Sequence, residues 1–392
     1  MTLPPLSLYV HLPWCVRKCP YCDFNSHTVG EATDKRRYLK ALIADLRSEA
    51  GRAGGRVVET VFLGGGTPSF FSAAEIGELL AEIDAAFLLA ENAEITLEAN
   101  PGVVERDQLA AYRRAGINRL SLGAQSFSDQ SLQRLGRIHG VSDILSAWRD
   151  AEKAGFDSIN LDLMYALPGQ TLDLAARDVQ QAIALSPPHI SWYQLTLEPN
   201  TVFHAKPPAD LPDEELSWAI GEHGEDLLRA AGYEHYETSA YARHGFRCRH
   251  NLNYWQFGDY LATGAGAHGK MTDGDGNIWR YRKPAHPAAY MKGSEAGALD
   301  CVLQKLEPAD IAFEYMLNAL RLRDGFAEAS FRARTGLPWG AVAPGMDRAA
   351  ALGLIESSGQ AAWAPTARGR RFLNDLQALF LPEPALYSQR GA

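Results

Sequence analysis

The chain has 392 residues, 46% of them apolar, so it can bury a large core; it is long for one domain and short for three. Charged residues make up 22% and the formal net charge is −9, which gives no footing for a general nucleic-acid binder. No apolar run approaches the ~20 residues that span a bilayer. With 5 cysteines and no signal-peptide pattern, the chain reads as a protein of the reducing cytoplasm.

A strand-like run, Leu6 to Leu12, leads into Pro13-Trp-Cys-Val-Arg-Lys-Cys-Pro-Tyr-Cys-Asp. Cys15, Cys19 and Cys22 fall within eight residues, at gaps of three and then two. A tight loop with this spacing can point three thiolates at one cubane [4Fe–4S] cluster, which usually takes four protein ligands. Three thiolates leave one iron open to a substrate or cofactor, the logic of a reactive cluster. The competing reading is zinc, with the three cysteines joined by His11, His27 or Asp23.

Strand and helix signals then alternate. Strands are expected at Leu6–Leu12, Val57–Leu63, Ala93–Ala99, Arg119–Gln125, Ser158–Met164 and His189–Leu197. Helices are expected at Asp34–Gly51, Ala73–Phe87, Glu105–Ala115, Gln130–Leu135 with Val141–Ala154, and Leu172–Leu185. Such an α/β alternation makes a parallel sheet, open or curled into a barrel. Pro207–Pro212 reads as a linker, and Asp213–Ala231 as a helix. β-rich runs follow around Tyr233–Tyr241, Asn251–Trp255, Tyr260–Met271 and Ile278–Arg282, then a loop from Gly293 to Asp310. The C-terminal region is helical, with amphipathic runs at Ala312–Leu322 and Ala349–Leu354; the apolar stripe of its last helix is read as core-facing.

Polar residues gather where the expected strands end. Gly64-Gly-Gly-Thr-Pro68 ends the second; its glycines allow close backbone approach and expose amide donors. Glu98 ends the third strand, Gln125 ends the fourth, Asp162 lies on the fifth, and Arg137 lies between the fourth and fifth. A charge in an apolar interior is costly unless paired or bound to a ligand. Arg137 suits a carboxylate, Glu98 and Asp162 suit hydroxyls, and Gln125 can donate and accept.

With this loop and these strand ends the chain resembles the radical S-adenosylmethionine (SAM) superfamily. The resemblance runs from Tyr9 to the C-terminal region. It implies a partial (βα)6 TIM-like barrel over 1–206, a β-rich extension over 207–300 and a small helical, winged-helix-like domain over 301–392. It also implies a [4Fe–4S] cluster on Cys15, Cys19 and Cys22. Gly65, Gly66 and Thr67 would hold the methionine amino group of SAM. Glu98, Gln125, Arg137 and Asp162 would complete the SAM site, Tyr9 and Tyr21 match SAM contacts, and Thr196 matches an adenine contact.

Within the superfamily the chain is similar to the branch of oxygen-independent coproporphyrinogen III oxidase, and more so to the HemW-type haem chaperones. The oxidases carry a further cysteine where Phe24 stands, and an extension before the first strand. His250-Asn-Leu-Asn-Tyr-Trp255 matches the His-Asn-x-x-Tyr-Trp motif of the chaperone branch. Histidine is a common haem ligand and aromatic faces suit a porphyrin; Cys248 is an alternative ligand. The bland reading is a capped β-turn with core aromatics. Arg243, Arg247 and Arg249 beside the motif suit haem propionates. The glycine run Gly264–Gly269 would shape a crevice outside the barrel mouth. The partners implied are haem and haem-accepting proteins, respiratory ones among them, with peripheral membrane association through those partners and a homodimer. Three hypotheses stand: a haem chaperone, a radical SAM oxidoreductase acting on a porphyrinogen, and a plain iron–sulfur or zinc protein.

Overall fold

The computed structural model of the chain describes residues 3–31, 33–103, 106–299, 302–359 and 361–382. Six strands open it: β1 (Leu6–Leu12), β2 (Val57–Gly65), β3 (Leu88–Ala99), β4 (Arg119–Gln125), β5 (Ser158–Tyr165) and β6 (His189–Gln194). The helices between them are α1 (Lys35–Ala53), α2 (Ala73–Ala86), α3 (Arg106–Ala115), α4 (Asp129–Arg134), α5 (Val141–Ala154) and α6 (Leu172–Leu185). Glu105, the expected start of the third helix, lies outside the described residues.

Local chemistry fixes these elements. Ser72 and Glu75 form a reciprocal capping box at the start of α2. Asp34 and Thr171 cap α1 and α6 through their side chains. Every residue of β4 is buried, as expected of a parallel strand covered on both faces. The main core runs from Leu8 and Val10 through Leu63, Leu97, Leu122 and Leu161 to the inner faces of the helices.

The rest of the chain extends this sheet rather than standing beside it. Further strands are β7 (Glu234–Glu237), β8 (Ala240–Ala242), β9 (Asp259–Thr263), β10 (His268–Thr272), β11 (Ile278–Arg282) and β12 (Val302–Lys305). The 12-stranded order is β12-β11-β10-β9-β1-β2-β3-β4-β5-β6-β8-β7. β9 pairs in parallel with β1, continuing the parallel run of β1 to β6. β8 pairs antiparallel with β6 on the far side. The expected β-rich extension is therefore split between both edges of an open part-barrel.

The extension also holds two helices, α7 (Glu214–Ala230) and α8 (Arg249–Trp255). The expected β-run at Asn251–Trp255 is helical instead. Its cap is distant in sequence: the Glu94 carboxylate on β3 accepts from the Arg249 and His250 amides at 3.1 and 3.0 Å. A carboxylate at a helix N-terminus satisfies free amides and meets the positive end of the helix dipole. The expected loop at Gly293–Asp310 holds the end of a helix (Pro287–Glu295) and β12. The expected boundary between 300 and 301 lies outside the described residues.

The C-terminal part begins with α9 (Pro308–Ala319). Helices Glu328–Thr335 and Ala343–Ala351 and a three-stranded antiparallel sheet complete a winged-helix-like arrangement. Its core around Tyr315, Phe331 and Leu376 also takes in Phe257 and Ile278 from the extension. Leu376 of the last described helix is fully buried there, so its apolar stripe faces the core.

Buried charge ties the extension to α1. Lys283, 4% exposed, donates to Asp45 at 2.6 Å and Glu49 at 2.7 Å. Tyr290 and Tyr281 donate to the same two carboxylates. Burial alone would lower the Lys283 pKa, but Asp45 and Glu49 outweigh it and hold it above the ordinary 10.5. This stabilisation is complete below the ordinary lysine value and is lost as pH climbs through the raised native one. Lys283→Met leaves Asp45 buried without its cation, while Arg52 still pairs with Glu49 at 2.6 Å, so it should cost about 3–5 kcal/mol in denaturant unfolding at neutral pH. A loss within experimental error of zero would show that the pair is relieved by water.

Candidate functional site

The cysteine loop leaves β1 and is clasped at its base. Trp14–Cys15 pairs with His27–Thr28 as a two-residue parallel ladder. Asn25 then ties the loop to the extension, donating to the carbonyls of Ala265 and Ala285 at 2.9 Å each. The Gly264–Gly269 run therefore buttresses the cysteine loop instead of shaping a separate crevice. A Cβ at Gly264 would meet the His11 carbonyl at 2.4 Å, and one at Gly266 would meet Asn25 at 2.1 Å.

Cys15 is buried, and Cys19 and Cys22 are half-buried; all three line one cavity of about 520 Å³. Burial pushes the Cys15 and Cys22 thiols up. Thr67 donates to the Cys15 sulfur at 3.3 Å, and Arg137 Nη1 reaches the Cys19 sulfur at 3.6 Å. Among the described residues no three His, Cys, Asp or Glu converge on a point that one ion could fill. His11 is already bonded to Tyr9 at 3.0 Å and to the Asn25 carbonyl at 2.9 Å.

The walls are the strand ends. Glu98 accepts from the Gly65 amide at 3.1 Å. Asp162 accepts from Ser121 at 3.0 Å and Asn160 at 2.8 Å. Tyr193 donates to Gln125 Oε1 at 2.6 Å, which holds Gln125 in a left-handed backbone of φ 70°. A Cβ added at Gly123 would meet Gln125 Nε2 at 2.9 Å and Arg137 Nη2 at 3.3 Å, so two donors flank a bare stretch of backbone. Among the described residues Arg137 Nε is buried without a partner. This pair of donors suits a carboxylate, and Glu98 and Asp162 suit hydroxyls, so the residues present fit SAM. Tyr21, Gly66, Thr67 and Thr196 also line the cavity.

Three expectations change. The amides of Gly65, Gly66 and Thr67 are used by Glu98, Leu12 and Trp14. This turn therefore keeps no free amide donor for a ligand. Its glycines answer to internal packing, since a Cβ at Gly66 would meet the Trp14 carbonyl at 2.7 Å. Tyr9 and Gly65 are not among the lining residues.

His250 changes most. It is 1% exposed, so its ring is out of reach of a haem iron. Thr60 donates to Ser7 at 2.8 Å, so His250 Nδ1–H is assigned as donor to Thr60, also at 2.8 Å. Nε2 then accepts from Tyr254 at 2.8 Å. Burial, and next the Arg119 charge, push its pKa down to about 3. The ring is a neutral, fully committed pin in the barrel floor. Helical spacing turns the other face of α8, Asn251 and Trp255, into the cavity. Cys248 is no freer: it is fully buried, and burial pushes its thiol up to about 12.

The expected propionate arginines lie elsewhere. Arg247 pairs with Asp324 at 2.7 Å, Arg249 donates to the Asn92 carbonyl at 2.7 Å, and Arg243 covers Tyr233. Sequence reading passed over Ser121, Ser191, Tyr193, Glu237 and Arg321, which all line the cavity. Ser121 and Gln125, like Ser191 and Tyr193, follow the period-two rule for one strand face and were findable that way. Arg321 carries no such signal, because it arrives from the C-terminal part.

Glu98 gives a test of this geometry. Burial and the nearby Asp162 raise its pKa to about 7, from an ordinary 4.5. A raised acid binds its proton more tightly folded than unfolded, so ligand-free stability falls as pH rises from 4.5 towards 7. Glu98→Gln should remove that fall and stabilise the ligand-free protein by roughly 3 kcal/mol at pH 8, read by urea unfolding across pH. A variant no more stable than the parent at pH 8 would contradict the assigned burial.

A model of the radical SAM superfamily matches residues 9–180, and one of the HemN C-terminal domain matches residues 306–372. The chain is 49% identical over 381 residues to the heme chaperone HemW of Escherichia coli K12, covering 97% of this chain and 99% of that one. It is also 49% identical over 385 residues to HemW of Haemophilus influenzae, with the same coverage of each. Among solved structures it is similar to coproporphyrinogen III oxidase (HemN) of E. coli, described as a radical SAM enzyme. That likeness has TM-score 0.81 and 25% identity and covers 96% of this chain and 90% of the other.

Proposed function

This chain belongs to the HemW family of heme chaperones within the radical SAM superfamily, and we propose that it binds haem and delivers it to acceptor haemoproteins. The observation that carries this reading is the shared cavity: the cysteine loop, the polar strand ends and one face of the His250–Trp255 helix all line it. In this reading Cys15, Cys19 and Cys22 hold a [4Fe–4S] cluster. Arg137 and Gln125 receive the SAM carboxylate, the Gly66–Thr67 turn its ammonium, and Glu98 and Asp162 its ribose. The bound cluster would supply an open iron and one-electron chemistry. The chain's own side chains orient SAM and exclude water.

The acceptors proposed are respiratory haemoproteins, met by a homodimer at the membrane surface. No described helix is long and apolar enough to cross a membrane, so contact there would run through partners. The division at 206/207 and 300/301 is retained as a proposal, amended by the shared sheet.

An oxidase-like reading is favoured by the likeness to HemN. Phe24 weighs against it: a 57% exposed phenyl on the cavity lip stands where the oxidases carry a cysteine.

Anaerobic reconstitution should give about four irons and four sulfides per chain. Each of Cys15→Ala, Cys19→Ala and Cys22→Ala should abolish the cluster, while Cys248→Ala should keep it. Saturating SAM should change the paramagnetic resonance spectrum of the reduced cluster. Arg137→Ala should weaken SAM binding by roughly 1.5–3 kcal/mol. Zinc without sulfide, or a spectrum indifferent to SAM, would remove the site.

The function itself is tested by transfer. Haem-loaded protein mixed with an apo-haemoprotein should pass its haem on, seen as the acceptor's absorption spectrum. Failure to bind or release haem, together with turnover of coproporphyrinogen III under reducing conditions with SAM, would move the assignment to the oxidase.

A further inference from the structure

One end of the cavity is not accounted for by the cluster or SAM. Three separated stretches build it: Asn251 and Trp255 from α8, Glu237 from the β7–β8 hairpin, and Arg321 just after α9. The backbone fixes Arg321 in place. Thr238 N–H donates to the Arg321 carbonyl and Arg323 N–H to the Tyr236 carbonyl, each at 3.1 Å. The C-terminal part is thus stitched to the sheet edge where it delivers this side chain.

The Arg321 guanidinium lies 4.2 Å over the Trp255 ring and meets Glu237 through one contact of 3.3 Å. Arg321 Nε and Trp255 Nε1 are buried without a partner among the described residues. Both groups are donors only. Buried donors without acceptors are uncommon and call for an acceptor that the chain does not supply. A guanidinium takes a carboxylate best through two parallel bonds, and here Glu237 fills one direction only. Arg321 and Trp255 both line the cavity, and the guanidinium donors that Glu237 does not take, together with the indole N–H, match a second carboxylate.

We propose that this end is a carboxylate subsite for haem, in which one propionate seats on Arg321 and Trp255 Nε1–H beside Asn251. The proposal rests on the haem-delivery reading and replaces His250 as the first point of haem contact. A cavity of about 520 Å³ that also takes SAM admits the propionate arm and one edge of the macrocycle, not the whole ring. The remainder of the ring stays outside, where an acceptor can reach it. Haem and SAM then occupy two ends of one space, and the C-terminal part supplies an essential side chain.

The test separates the carboxylate from the ring. Reconstituted protein is titrated with haem and with haem dimethyl ester, which lacks free carboxylates, following the Soret band. The unaltered protein should bind haem roughly ten- to hundredfold tighter than the diester. Arg321→Ala should bind the two alike, and Trp255→Phe, which keeps a ring but loses the N–H, should lose part of the preference. Iron and sulfide content checks that each variant is folded. If Arg321→Ala keeps the full preference with its cluster intact, the subsite is overturned while haem delivery stands. If Arg321→Ala fails to fold, equal affinity of the unaltered protein for acid and diester overturns it. Absence of haem binding by the unaltered protein would instead sink the functional reading beneath it.

Discussion

A half-buried carboxylate on β3, Glu94, determines how the rest of this site is arranged. By capping the amides of Arg249 and His250 it nucleates a seven-residue helix where neither end carries a local side-chain cap. The helix is then rotated by its own bonds. His250 reaches Thr60, and Asn253 donates to Ser7 at 2.8 Å, so one face is sunk among β1 and β2. The opposite face is left to the cavity. Without this cap a stretch of seven residues would be marginal as a helix, and Trp255 would have no fixed direction.

The barrel floor carries several buried polar groups. Arg119, 3% exposed, sits among Glu94, Cys248, Tyr236 and Asp162. His189 bridges Asn160 at 2.6 Å and Tyr236 at 2.8 Å. His189, Asn160 and Tyr236 hold one another in place by these hydrogen bonds. Toward the cysteines the balance changes: Glu98 is destabilised by Asp162, and Arg137 keeps a free buried N–H. A strained carboxylate and an open donor beside a cavity are what a binding site shows before its ligand arrives.

The glycine-rich segments show why a motif and its cause can differ. Gly65 has φ 118° and its Cβ position falls on the His11 ring. Gly264, with φ 101°, lies against the His11 carbonyl from the other side. Both serve to bring β1, β2 and the strand after β9 into close register beneath the cysteine loop. Ligand access at this turn is a consequence of that packing.

The sequence by itself determined the barrel and the loop. Strand and helix periods, caps at Asp34, Ser72 and Thr171, and the spacing of Cys15, Cys19 and Cys22 are local properties that any fold must honour. Polar residues on apolar strands marked Glu98, Gln125 and Asp162, because such residues need a reason to be there. Only the tertiary structure decided that the His250 motif is a helix, that its histidine faces inward, and that Arg321 rather than Arg243, Arg247 or Arg249 reaches the cavity. Each of those depends on a partner more than sixty residues away: Glu94 for the helix, Thr60 for the histidine, Glu237 and Tyr236 for the arginine. Long-range pairing leaves no periodic trace in the chain, so it becomes legible only once the sheet has brought its strands together.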